Sequence, residues 1–88
     1  MTIQPKPSKV IFEIIEIEGF YRIRKSQFYS GDEGNPPLVK TLKYRTFDKM
    51  LVQAAIARCG RAKVYEGYSV LFDVEKGELV CELTLNEE

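Results

Sequence analysis

The chain has 88 residues, 44% hydrophobic and 11% aromatic, with 13 basic residues against 13 acidic ones and neither histidine nor tryptophan. That length makes one domain with a modest core and leaves no room for a two-lobed enzyme with an enclosed cleft. Without histidine no side chain titrates near neutrality at its unperturbed pKa, so acid–base catalysis would need a strongly shifted carboxylate, lysine, tyrosine or thiol, and no such group is advertised.

Residues 1 to 8, with Pro5 and Pro7, read as a flexible N-terminal tail ahead of a single domain spanning 9 to 88. Val10 to Ile17 is rich in β-branched residues and reads as the first strand. Glu18-Gly19 then supplies a two-residue hairpin turn. Folding there sets Ile17 opposite Phe20, Ile14 opposite Ile23 and Glu13 opposite Arg24, the last as a cross-strand ion pair. A second strand follows from Phe20 to about Tyr29. Ser30 to Pro37 holds glycines, acids and prolines and reads as a surface loop. It lacks the Gly-x-x-x-x-Gly-Lys spacing that cradles phosphate.

Leu38 to Arg45 reads as a third strand, with Leu42 and Tyr44 inward and Thr41, Lys43 and Arg45 outward. The next stretch, Thr46 to Gly60, is the one convincing helix. Thr46 is placed to cap its first turn, Asp48 to complement its positive start and Gly60 to stop it. At 100° per residue, Phe47, Leu51, Val52, Ala55, Ile56 and Cys59 share one arc, opposite Lys49 and Gln53, and that arc is expected to face the core. A fourth strand runs up to about Glu75, with a bulge expected at Gly67, and Lys76-Gly77 turns into a fifth from Leu79 to Leu85. In this hairpin Tyr68, Val70, Phe72 and Val74 alternate inward, as do Leu79, Cys81, Leu83 and Leu85.

The reading is an α+β protein: a single small domain with a largely antiparallel five-stranded sheet and one helix, in the order β-β-β-α-β-β. Five strands make a sheet roughly 20 Å wide, whereas one helix is only about 10 Å across. One helix cannot cover it. By parity, Ile11, Ile15, Ile17, Phe20, Phe28, Leu71 and Val80 fall on the opposite, outer face.

Charge is unevenly spread. From Arg22 to Lys63 there are ten basic residues and three acids, and outside that segment the numbers reverse. Cys59 and Cys81 form no Cys-x-x-Cys pair, and with no histidine to complete a site neither a metal nor any other cofactor is expected. Both read as reduced thiols packed as small hydrophobes. No apolar run approaches the roughly 20 residues needed to span a bilayer, and the N-terminus has no signal-peptide core, so a cytoplasmic protein with no membrane role is expected.

Two functions remain. The first is a non-catalytic accessory or regulatory module that binds a protein partner, or itself as a homodimer, through the outer-face residues Ile15, Ile17, Phe20 and Leu71. The alternative is a nucleic-acid binder using Arg22, Arg24, Lys43 and Arg45, whose charge would hold phosphates while neighbouring phenylalanines stack on bases.

Overall fold

The computed structural model describes residues 6–29, 36–59, 66–75 and 78–86. Five strands and one helix follow in the expected order: β1 (Lys9–Ile17), β2 (Phe20–Phe28), β3 (Leu38–Thr46), α1 (Lys49–Cys59), β4 (Tyr68–Glu75) and β5 (Glu78–Leu85). All four strand pairings are antiparallel, and the order across the sheet is β3-β2-β1-β5-β4. The first strand of the chain is therefore the central one. The loop at 30–35, the segment 60–65 and the turn at 76–77 lie outside the described residues.

The β1–β2 hairpin follows from its turn. Glu18 and Gly19 both have positive φ, at 53° and 82°, the type I′ geometry whose twist matches that of the flanking strands. Ile17 pairs with Phe20, Ile14 with Ile23 and Glu13 with Arg24, as the turn requires. Hydrogen bonding extends one residue before β1. The Ser8 N–H donates to the Phe28 carbonyl, and the Ser8 carbonyl accepts from Leu85 N–H. Pro7 accepts from the Tyr68 hydroxyl. The chain is thus held to the sheet from Pro7 onward, earlier than the boundary read from sequence, while residues 1–5 lie outside the described residues.

The core forms on one face of the sheet. Val10, Phe12 and Ile14 of β1, Ile23 of β2 and Cys81 and Leu83 of β5 are buried under Val52, Ala55 and Ile56 of α1. Two of the residues expected to complete the helix's buried arc do not. Phe47 and Leu51 are exposed, at 71% and 51%. The helix packs chiefly on β5, β1, β2 and β3, so its buried stripe is narrower than its apolar surface. The capping also differs from the sequence reading. Asp48 is the N-cap: its carboxylate accepts from Met50 N–H at 2.9 Å and its carbonyl accepts from Leu51 and Val52. Thr46 instead accepts from Asp48 N–H, outside the helix.

Two further local differences have physical causes. Between Arg22 and Arg24 the pairing partners on β3 jump from Arg45 to Thr41, so two steps along β2 match four along β3. This bulge leaves Tyr44 exposed rather than inward and keeps Leu42 against the core. Gly67, at φ 90°, belongs to the turn that precedes β4 and is not a bulge within the strand. The hairpin β4–β5 pairs without a break in the expected register. However, its inward residues Val70, Phe72 and Val74 stay exposed, because β4 lies beyond the helix's main footprint.

Candidate docking surface

The sheet face opposite α1 has no covering layer among the described residues, and parity in the observed pairings decides what it presents. β1 contributes Lys9, Ile11, Glu13, Ile15 and Ile17. β2 contributes Phe20, Arg22, Arg24, Ser26 and Phe28. Val39, Thr41 and Arg45 come from β3, and Ser69, Leu71, Asp73, Val80 and Glu82 from the last hairpin. Ser26 is buried because its short side chain lies between Ile11 on one neighbour and Val39 on the other.

One corner is built differently. Ile17 pairs directly with Phe20 across the hairpin, and Ile15 lies two residues back on the same face. The Phe20 ring stacks on Phe47, with centroids 4.1 Å apart and planes 28° from parallel. The Arg45 guanidinium sits 4.7 Å above the same ring. Phe47 leads into the helix, and one turn on are Met50, 69% exposed, and Leu51. Ile17, Phe20 and Phe47 thus form one apolar group at this corner, and Met50 and Leu51 are exposed at the start of α1, three and four residues further on. Three of the four interface residues expected from sequence, Ile15, Ile17 and Phe20, meet here. The fourth does not. Leu71 lies in the row of Glu82, Ile11 and Ser26, six residues along β1 from Ile17 and two strands across, roughly 20 Å away.

The four basic residues are only partly brought together. Arg22, Arg24 and Arg45 share the open face, whereas Lys43 lies in the β3 bulge and is exposed. Arg24 is committed to Glu13, its Nη2 at 2.9 Å and its Nε at 3.0 Å from Oε1. Arg22 donates from Nη2 to the Leu42 carbonyl at 2.9 Å, satisfying a carbonyl that the bulge removes from regular pairing, while its Nε is buried without a partner. Arg45, over Phe20, and Lys43 remain the outward charges.

Other chemistry is quiet. Burial pushes the Cys59 thiol up, against the opposing pull of Arg58 and Lys25. Burial, with a smaller contribution from Cys59, pushes Cys81 up to about 11. Both shifts favour the protonated thiol. Among the described residues no group of three or more cysteine and carboxylate side chains could hold a metal ion. No described helix is long and apolar enough to cross a membrane.

Phe47 was missed as a surface residue because it lies in the bend before the helix, which starts only at Lys49, and Met50 and Leu51 because the helix carries apolar residues on more of its circumference than the sheet covers. That excess was the available signal: Met50, Leu51, Ala54 and Ala57 exceed what one sheet contact can bury. Comparison with protein-family models, with curated proteins and with solved structures finds no match for this chain.

Proposed function

We propose that this chain is a non-catalytic, cytoplasmic protein-binding module that acts in an accessory or regulatory role, and that it docks its partner on the corner formed by Ile15, Ile17, Phe20, Phe47, Met50 and Leu51. The observation that carries the reading is the make-up of that corner. A stacked aromatic pair lies against an arginine and the aliphatic end of β1, with an exposed methionine and leucine at the start of the helix that follows, the composition found at the centres of protein interfaces. Such a patch costs solubility unless something covers it. Arg45 flanks it and Lys43 is exposed two residues before on the same strand, so a partner surface with acids beside an apolar centre suits it.

The test compares capture by the wild-type chain with capture by Ile17→Asp and Phe47→Asp. Both positions are exposed, so both variants are expected to fold. A partner held by the wild type and lost by both variants supports the reading. One retained by both removes it.

A second reading has one observation in its favour: an exposed Phe47 ring, stacked on the Phe20 ring that Arg45 also covers, suits stacking on an unpaired base. Against it, two of the four arginine and lysine residues it needs are engaged within the sheet. Fluorescence anisotropy with single-stranded oligonucleotides at low salt separates the readings. Binding that falls with salt and with Arg45→Ala favours nucleic acid. No binding at low salt excludes it.

A further inference from the structure

The two edges of the sheet are unlike. β3 carries devices that discourage strand pairing: a bulge, three basic residues at Lys40, Lys43 and Arg45, and Pro36-Pro37 immediately before it. β4 carries none of them. Its sequence, Tyr-Ser-Val-Leu-Phe-Asp-Val-Glu, has no proline, lysine or arginine, and it pairs with β5 over all eight residues without a register shift. Its helix-side face is apolar and exposed, with Val70, Phe72 and Val74, and its other face presents Leu71, 59% exposed, between Ser69 and Asp73.

The backbone on this edge can be assigned. Asn86 N–H donates to the Gly67 carbonyl, so Gly67 and, by alternation, Ser69, Leu71 and Asp73 direct their backbone groups to β5. Tyr68, Val70, Phe72 and Val74 direct theirs outward. In agreement, Val74 N–H is taken by its neighbour's carboxylate, Asp73 Oδ1, at 2.8 Å, rather than by β5. Among the described residues no strand lies beyond β4, so the outward groups of Val70 and Phe72 form the middle of an open ladder.

We infer that β4 pairs with β4 of a second copy of this chain, antiparallel, about a two-fold axis through Leu71. The strand matches itself in that register. On the helix side Val70 faces Phe72 of the other copy and Tyr68 faces Val74, aromatic against β-branched at both positions. On the open face Leu71 faces Leu71 and Ser69 faces Asp73. The two Asp73 residues are then offset by four positions, about 14 Å, which is beyond the screening length of roughly 8 Å at physiological salt. Centring on Phe72 instead would bring them to about 7 Å along the strand, inside it. Each Val70–Phe72 pair exchanges two hydrogen bonds between outward backbone groups, and the sheet continues through both copies with both helices on one side. The surface is separate from the docking corner and rests on no part of that reading.

Sedimentation equilibrium of the full chain over a concentration series tests it. The wild type is expected to dimerise, and Phe72→Lys to be monomeric with an unchanged circular dichroism spectrum. Val70→Pro is also expected to be monomeric, since it deletes an outward N–H while leaving the bonds to β5. Leu71→Cys is expected to form a disulfide-linked dimer on mild oxidation, because residues facing each other across a non-hydrogen-bonded pair bring their Cα atoms to about 4.5 Å. Val39→Cys on the opposite edge is expected not to. A wild type that stays monomeric overturns the proposal. So does a dimer that survives both Phe72→Lys and Val70→Pro, or Leu71→Cys linking no faster than Val39→Cys.

Discussion

Replacing Phe47 with alanine distinguishes a surface ring from a core ring. Full burial of a phenylalanine is worth up to about 3 kcal/mol. Phe47 remains 71% exposed, so under a third of that is at stake, about 1 kcal/mol. The stack on Phe20 at 4.1 Å adds at most a similar amount. Phe47→Ala should therefore cost between about 1 and 2 kcal/mol. Phe12→Ala is the comparison. Phe12 is only 2% exposed, in the middle of the core, and its loss leaves a cavity costing about 3–5 kcal/mol. In urea, with a slope near 1 kcal/mol per molar for so small a chain, Phe47→Ala moves the midpoint by about 1–2 M and Phe12→Ala by about 3 M or more. Both are measured at one protein concentration, since self-association would add to apparent stability. A Phe47→Ala variant as unstable as Phe12→Ala would refute the reasoning and return Phe47 to the core.

Three other outcomes follow from local chemistry. Glu18 holds φ at 53°, which an L-residue with a long side chain adopts at a cost, so Glu18→Asn should stabilise by about 0.5–1 kcal/mol and raise the melting temperature by a few degrees; an unchanged or lower value contradicts this. Asp48→Ala should cost about 1 kcal/mol through loss of the helix cap, and Thr46→Ala distinctly less; the reverse order in urea melts would put the cap at Thr46. Cys81 titrates near 11 when folded and near about 8.5 when unfolded, so the unfolded chain loses this proton first as pH rises. The stability it contributes is fully present below about pH 8.5 and falls between there and about 11, by at most about 1.4 kcal/mol per pH unit. Cys81→Ala should be flatter over that range than the wild type, and parallel curves would rule out the thiol as the cause.

What the sequence made legible was local. The Glu18-Gly19 turn dictates a two-residue loop, and with it every pairing between β1 and β2, including the Glu13–Arg24 ion pair. Alternation identified the β4–β5 register in the same way. The lateral arrangement was not legible, because β1 reaches its central place through a non-local pairing with β5 that no turn announces. One error descends from this. Val70, Phe72 and Val74 have the parity of core residues, but parity specifies a face and not whether a helix extends over it. Phe47 and Leu51 have core spacing, but the helix starts only at Lys49, which leaves Phe47 in the bend before it, and its sheet contact covers Val52, Ala55 and Ile56 while leaving Leu51 exposed. The β3 bulge left no mark in the spacing of Leu42 and Tyr44, and it is also what diverts Arg22 from a surface role. Ile15, Ile17 and Phe20 lie on one face at one end of the hairpin, as the Glu18-Gly19 turn requires.

The docking corner is tested most directly by placing a photo-reactive phenylalanine analogue at position 47 in the full chain and irradiating it in its native cells. Position 40, exposed on β3 away from the corner, serves as the comparison. The account predicts one discrete protein cross-linked from position 47 and absent from position 40. The same products from both positions, or none from position 47, would contradict it.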